Sequence, residues 1–126
     1  MFRFYFLNRI LIGIIFCLLF LNSAFAQNNL VIEVAGEANG KIKITLLPDL
    51  APLHVERIKT LVNSGAYNGV VFHRVIDGFM AQTGDVKFGN SSSNDFNLSR
   101  AGMGGSDLPD LKQEFSSLPH DRGTLS

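Results

Sequence analysis

Phe72-His73-Arg74-Val75-Ile76-Asp77-Gly78-Phe79-Met80-Ala81-Gln82-Thr83-Gly84-Asp85 decides the reading of this chain. It sets one cation and one amide among large apolar side chains, in a run that also carries strand and turn signals. Val70 to Ile76 is β-branched and aromatic, which predicts a strand. Asp77-Gly78 predicts a hairpin turn, and Phe79 to Gln82 a short returning strand. An apolar cleft holding one fixed guanidinium suits a reaction that needs electrostatic help but no nucleophile.

Upstream, Leu30-Val31-Ile32-Glu33-Val34 reads as a strand, and Lys41 to Leu46 alternates between polar and apolar residues. Asn39-Gly40 lies between them, a pair suited to positive φ in a tight hairpin. Ile42, Ile44 and Leu46 are expected on the core face, with Lys41, Lys43 and Thr45 toward water. A helix follows, with Pro52 in its first turn, where the missing amide proton costs nothing. Ala51, Val55, Ile58 and Val62 share one helical face, and Glu56, Arg57 and Lys59 take the outer one. Ser64-Gly65 ends this helix.

Downstream, 90–107 is rich in Ser, Asn and Gly and predicts a long surface loop without periodicity. Leu108 to Phe115 is expected to order again around Pro109 and Glu114. Gly123 to Ser126 reads as the start of a strand. The order of strands, a helix, then more strands predicts an antiparallel barrel or an α+β domain.

The N-terminus reads as an address. Arg3 and Arg9 precede the apolar run Ile10 to Leu21, about twelve residues, and Ala24-Phe25-Ala26 fits a small-x-small cleavage site. The run is short against the roughly 20 residues that span a membrane. Residues 1–26 are therefore predicted to be a signal peptide, with the protein periplasmic or secreted and no membrane partner after cleavage. Cleavage removes Cys17, leaving no disulfide or thiol chemistry in the mature chain. Losing Arg3 and Arg9 takes Lys+Arg from 11 to 9 against 11 Asp+Glu, a formal charge of −2. That balance argues against nucleic acid as a partner.

Several pieces recur in a fixed order: Ala51-Pro52 with Val55, Tyr67-Asn68-Gly69, Phe72 to Ile76, Gly78-Phe79-Met80 with Gln82, and Gly84-Asp85. Gly102 with Gly104-Gly105, Glu114-Phe115 and Arg122 to Ser126 complete the set. In order and spacing they resemble the cyclophilin-type peptidyl-prolyl isomerases over nearly the whole of 27–126. Asp77 stands where that family usually has proline, and Thr83 where it usually has glycine. Asp77-Gly78 still suits a turn. Thr83 is expected to tighten the backbone near Gln82.

The resemblance implies a mainly β fold, a cyclophilin-like antiparallel barrel capped by helices. About two thirds of that domain is expected here, in 27–126, with the C-terminal part of the barrel missing. It implies catalysis by Arg74 on proline-containing polypeptide substrates, with no cofactor and a monomeric state if complete. Phe79 and Met80 are implied as walls of a proline seat. Phe72 is expected to be core that touches the site. Gln82 would hold a substrate carbonyl, the alternative being an exposed strand glutamine of no consequence. His73, on the opposite strand face from Arg74, is expected to be a hydrogen-bonding structural histidine with a supporting role. The ordinary reading of Arg74 is a strand arginine in a surface ion pair.

Other chemistries find no footing. His54, His73 and His120 lack metal-ligand spacing and cysteine partners. No Gly-x-Ser-x-Gly elbow occurs, and Gly102 to Gly105 lacks the strand-to-helix setting of a phosphate loop. Two rival expectations remain: a holdase that grips proline-containing segments without turning them over, and an inactive fragment of an isomerase.

Overall fold

Apolar residues at every second position build the first hairpin. In a computed structural model, which describes residues 28–126, strands β1 (Asn29–Val34) and β2 (Gly40–Thr45) pair antiparallel. Leu30 lies opposite Ile44 and Ile32 opposite Ile42, so the pleat gathers these side chains on one face. Val31, Lys43, Glu33 and Lys41 share the other face. Lys41 and Glu33 form an exposed ion pair at 3.6 Å, an interaction that stabilises little. Ile42 does not reach a core; it is 45% exposed. The expected leader, 1–26, lies outside the described residues.

Asn39-Gly40 is not the turn itself. Gly40 already pairs with Val34, and the connection runs from Ala35 to Asn39. The Asn39 side chain closes that loop, accepting from Gly36 N at 3.1 Å and donating to Gly36 O at 3.0 Å. An Asn side chain substituting for backbone partners stabilises a longer connection than a two-residue turn.

Helix α1 (Pro52–Asn63) begins and ends where the sequence predicts, with Ser64 at its C-terminal cap. Val55 is buried, while Val62 at the far end of the same face stays 37% exposed. Leu30 and Leu46 face Ile58 and Val62 across a cleft of about 370 Å³. Arg57 and Lys59 are not simple solvent-facing charges. Arg57 donates to the Pro109 carbonyl at 2.7 Å, and Lys59 to Asn28 Oδ1 at 3.0 Å.

Strands β3 (Arg74–Ile76) and β4 (Met80–Gln82) make a second antiparallel pair. The predicted strand from Val70 is thus shorter than expected. Val70 and Val71 instead meet Asn90 and Gly89, through one isolated bridge and a Val71 N to Gly89 O bond of 2.9 Å. That pairing gives the segment before β3 a second partner segment, around Gly89 and Asn90. Asp77, Gly78 and Phe79 form the turn, and Phe79 N donates to Ile76 O at 3.1 Å. Gly78 has φ +70, a conformation that costs a side-chain-bearing residue about 1 kcal/mol or more.

The described residues hold more strand than helix, but not a closed barrel. Their four strands form two separate two-stranded sheets, whereas small barrels close with about eight strands. Gly123 to Ser126 forms no strand; Thr124 N turns back to Asp121 O at 3.0 Å. Buried apolar residues are Leu46, Val55 and Phe88, joined by one buried carboxylate, Asp85.

Candidate active site

The β3–β4 hairpin sets two polar side chains side by side. Arg74 is directly opposite Gln82, and Ile76 directly opposite Met80. Residues two apart on a strand share a face, so Arg74, Ile76, Met80 and Gln82 line one side of the hairpin. Val75 and Ala81 occupy the other. The pairing is locked just beyond its end, where His73 N donates to Gln82 O at 3.1 Å. Thr83 adds a second lock: its hydroxyl donates to Val71 O at 2.9 Å. This departure from the family pattern therefore ties the exit of β4 to the segment before β3.

Arg74 and Gln82 are both exposed. Among the described residues no carboxylate lies within ion-pairing distance of Arg74; the ion pairs found are Lys41–Glu33 and His54–Glu114. The ordinary reading of a strand arginine consumed by a surface salt bridge does not describe this one. Its five donors remain available in a fixed plane.

The apolar candidates are distributed unevenly. Met80 is half-buried on the Arg74 face, and Phe72 is half-buried two residues before Arg74. Phe79 sits in the turn with 76% of its surface exposed. It lies at the turn end of the hairpin, with the Ile76–Met80 pair between it and Arg74–Gln82.

His73 departs from expectation. Both ring nitrogens are buried, and neither has a hydrogen-bond partner among the described residues. Among the described residues its ring finds no partner for the hydrogen-bonding role that its position suggested. The ring rests against Gly102, where a Cβ atom would meet His73 Nε2 at 2.8 Å. Gly102 packs against this ring.

Asp85, quoted in the deciding stretch but given no role there, organises the loop beyond the hairpin. Its Oδ1 accepts from Lys87 N at 3.0 Å and Phe88 N at 2.8 Å. Its Oδ2 accepts from Gly102 N at 2.7 Å and Gly104 N at 3.0 Å. Burial alone would raise its pKa, but four backbone N–H groups outweigh that and hold it at about 2. Phe88 in turn carries the Arg100 guanidinium 3.8 Å above its ring centroid. A lone acidic residue following an apolar run and preceding a glycine-rich loop was the available signal for this hub.

Among the described residues no three metal-ligating side chains converge. No described helix is long and apolar enough to cross a membrane.

The profile of the cyclophilin type peptidyl-prolyl cis-trans isomerase/CLD family matches residues 30–126. The chain belongs to this cyclophilin family. A Brucella suis protein named "Probable peptidyl-prolyl cis-trans isomerase" is 53% identical over 104 residues, covering 82% of this chain and 51% of its own. The Brucella melitensis counterpart of the same name matches equally well. Peptidyl-prolyl cis-trans isomerase cyp15 of Rhizopus delemar is 40% identical over 87 residues, 67% of this chain and 12% of that protein. The chain spans about half the length of the Brucella relatives it matches. No solved structure matches it.

Proposed function

We propose that this protein accelerates cis–trans isomerisation of X-Pro bonds in extended or unfolded polypeptides, with Arg74 as its catalytic residue. The observation that carries the reading is Arg74 paired opposite Gln82, exposed and with no carboxylate in ion-pairing range among the described residues, in a chain of the cyclophilin family.

The chemistry needs little else. A peptide bond resists rotation by roughly 18–20 kcal/mol because its nitrogen lone pair is delocalised into the carbonyl. At the twisted midpoint the prolyl nitrogen becomes pyramidal and regains that lone pair. Arg74 donates a hydrogen bond to it there and has nothing to donate to in the planar ground state. An interaction present only at the midpoint raises rate rather than affinity. Gln82, opposite, donates to the carbonyl oxygen of a neighbouring substrate residue, holding one side while the other turns. Met80 and Phe79 offer apolar surface for the ring, and half-buried Phe72 precedes Arg74 by two residues. No bond is broken, so no general base and no cofactor take part.

The reading includes export. It is supported by Arg3, Arg9, the apolar run to Leu21 and Ala24-Phe25-Ala26. Mass spectrometry of protein recovered from a bacterial periplasm should give a first residue of Gln27; an intact N-terminus in the cytoplasm would overturn it.

A protease-coupled isomerisation assay on the full chain tests the activity. Arg74→Ala should lower kcat/KM by about a hundredfold or more, the usual effect of losing one transition-state donor. Folded protein that binds proline peptides without accelerating them would leave a holdase. Acceleration indifferent to Arg74→Ala would remove Arg74 from the mechanism.

A further inference from the structure

Asp85 is the described polar residue most completely withdrawn from water, at 3% exposure, and none of its carboxylate's hydrogen bonds goes to the residues on the Arg74 face. Its carboxylate instead joins two stretches far apart in sequence. Oδ1 collects the backbone of Lys87 and Phe88; Oδ2 collects Gly102 and Gly104. Both oxygens are saturated, and Gly89 N adds a bond to the Asp85 carbonyl at 3.1 Å.

What the carboxylate fixes is then pressed against the hairpin. Gly102 adopts φ +96, which side-chain-bearing residues rarely do, and its α-carbon abuts the His73 ring. Among the described residues no hydrogen bond to the His73 ring holds it in place. Its backbone N–H, however, holds Gln82, and its next residue is Arg74. A displacement of Gly102 toward the ring therefore presses on His73, and His73 is bonded to both halves of the candidate site.

We propose that Asp85 is a positioning residue for the Arg74–Gln82 pair, acting through the Gly102–Gly104 backbone and the His73 ring. The proposal rests on the isomerase reading for its effect on rate, but its structural half stands apart from it. Asp85→Asn replaces one acceptor oxygen by an NH2 group facing backbone N–H donors. Gly102→Ala puts a methyl group 2.8 Å from His73 Nε2 and strains the backbone, leaving the carboxylate untouched.

In the full chain, proton NMR of the His73 Hε1 and Arg74 Hε signals is compared with isomerisation kinetics scaled to the folded fraction. Both variants should move both signals and lower kcat by roughly tenfold to a hundredfold, the scale of a small misplacement of a reacting group. KM should stay within a factor of about two, because the lost interaction belongs to the transition state. Should Asp85→Asn fail to fold, Gly102→Ala carries the same readouts. Signals that stay in place in folded Gly102→Ala, or a loss confined to KM, would overturn the proposal. A parent chain that never isomerises would sink the isomerase reading, and the two NMR signals would still decide whether this loop positions Arg74.

Discussion

Asp85 combines burial with a carboxyl held well below its ordinary range by four backbone N–H groups, which makes it a residue whose titration the fold should feel. Its folded pKa lies below the ordinary 3.8, at about 2. The stabilisation is thus complete above pH 4 and is lost as pH falls toward 2, amounting to up to about 2 kcal/mol. Acid unfolding followed by circular dichroism should show a loss of stability across that window, and Asp85→Asn should flatten it. An unchanged acid profile in the variant would assign the transition to other carboxylates. The residue scale also explains Thr83. Its place as a departure from the family pattern is visible in the sequence, but the partner of its hydroxyl, Val71 O, is not.

Helix α1 shows what an element requires beyond its own sequence. Its face and ends were legible from Val55, Ile58, Pro52 and Ser64, because periodicity and end signals are local. Its N-terminus is not locally served. Ala51 provides no side-chain cap and the first turn carries no acid. Glu114 supplies both from 60 or so residues away: Oε1 accepts from Leu53 N and Oε2 from His54 N, each at 3.0 Å. His54 Nδ1 donates to the same Oε2 at 2.6 Å. Burial would raise the Glu114 pKa, yet the His54 side chain and the two backbone donors lower it. Helix stability from this cap should therefore be present above the ordinary carboxyl range and fade on acidification below it. Glu114→Ala should lower the thermal midpoint by several degrees at neutral pH, and by less at pH 3, in a thermal melt. An equal loss at both pH values would assign the effect to packing rather than to charge. The sequence marked Glu114 as part of an ordering segment, but no local rule links it to position 53.

At the scale of the whole molecule the outward apolar surface dominates. Val75, Phe79, Leu98, Met103 and Phe115 are each between 66% and 86% exposed, and buried apolar residues are few. Two separate hairpins also leave unpaired backbone at their outer edges among the described residues. Such a surface predicts binding of an apolar dye in the native state and association that grows with concentration. Dye fluorescence and sedimentation velocity on the full chain measure both; a dye-silent monomer at high concentration would contradict the surface described.

The local elements were legible because their causes are local. Alternation at Leu30, Ile32, Ile42 and Ile44 builds a hairpin whatever surrounds it, and Asp77-Gly78 turns β3 into β4. The ordered motifs from Ala51 to Ser126 carried the family. Other features depended on contacts between distant segments. The segment before Arg74 pairs with Asn90 and Gly89 through Val70 and Val71, partners that lie some twenty positions away. The His73 ring packs against Gly102, a neighbour that only folding brings to it. Asp85 and Glu114 acquire their roles by accepting from N–H groups that are neighbours only after folding. Composition, periodicity and turn chemistry act over a few residues and can be read along the chain. Close approach and burial join residues tens of positions apart, and only the tertiary structure chooses which ones meet.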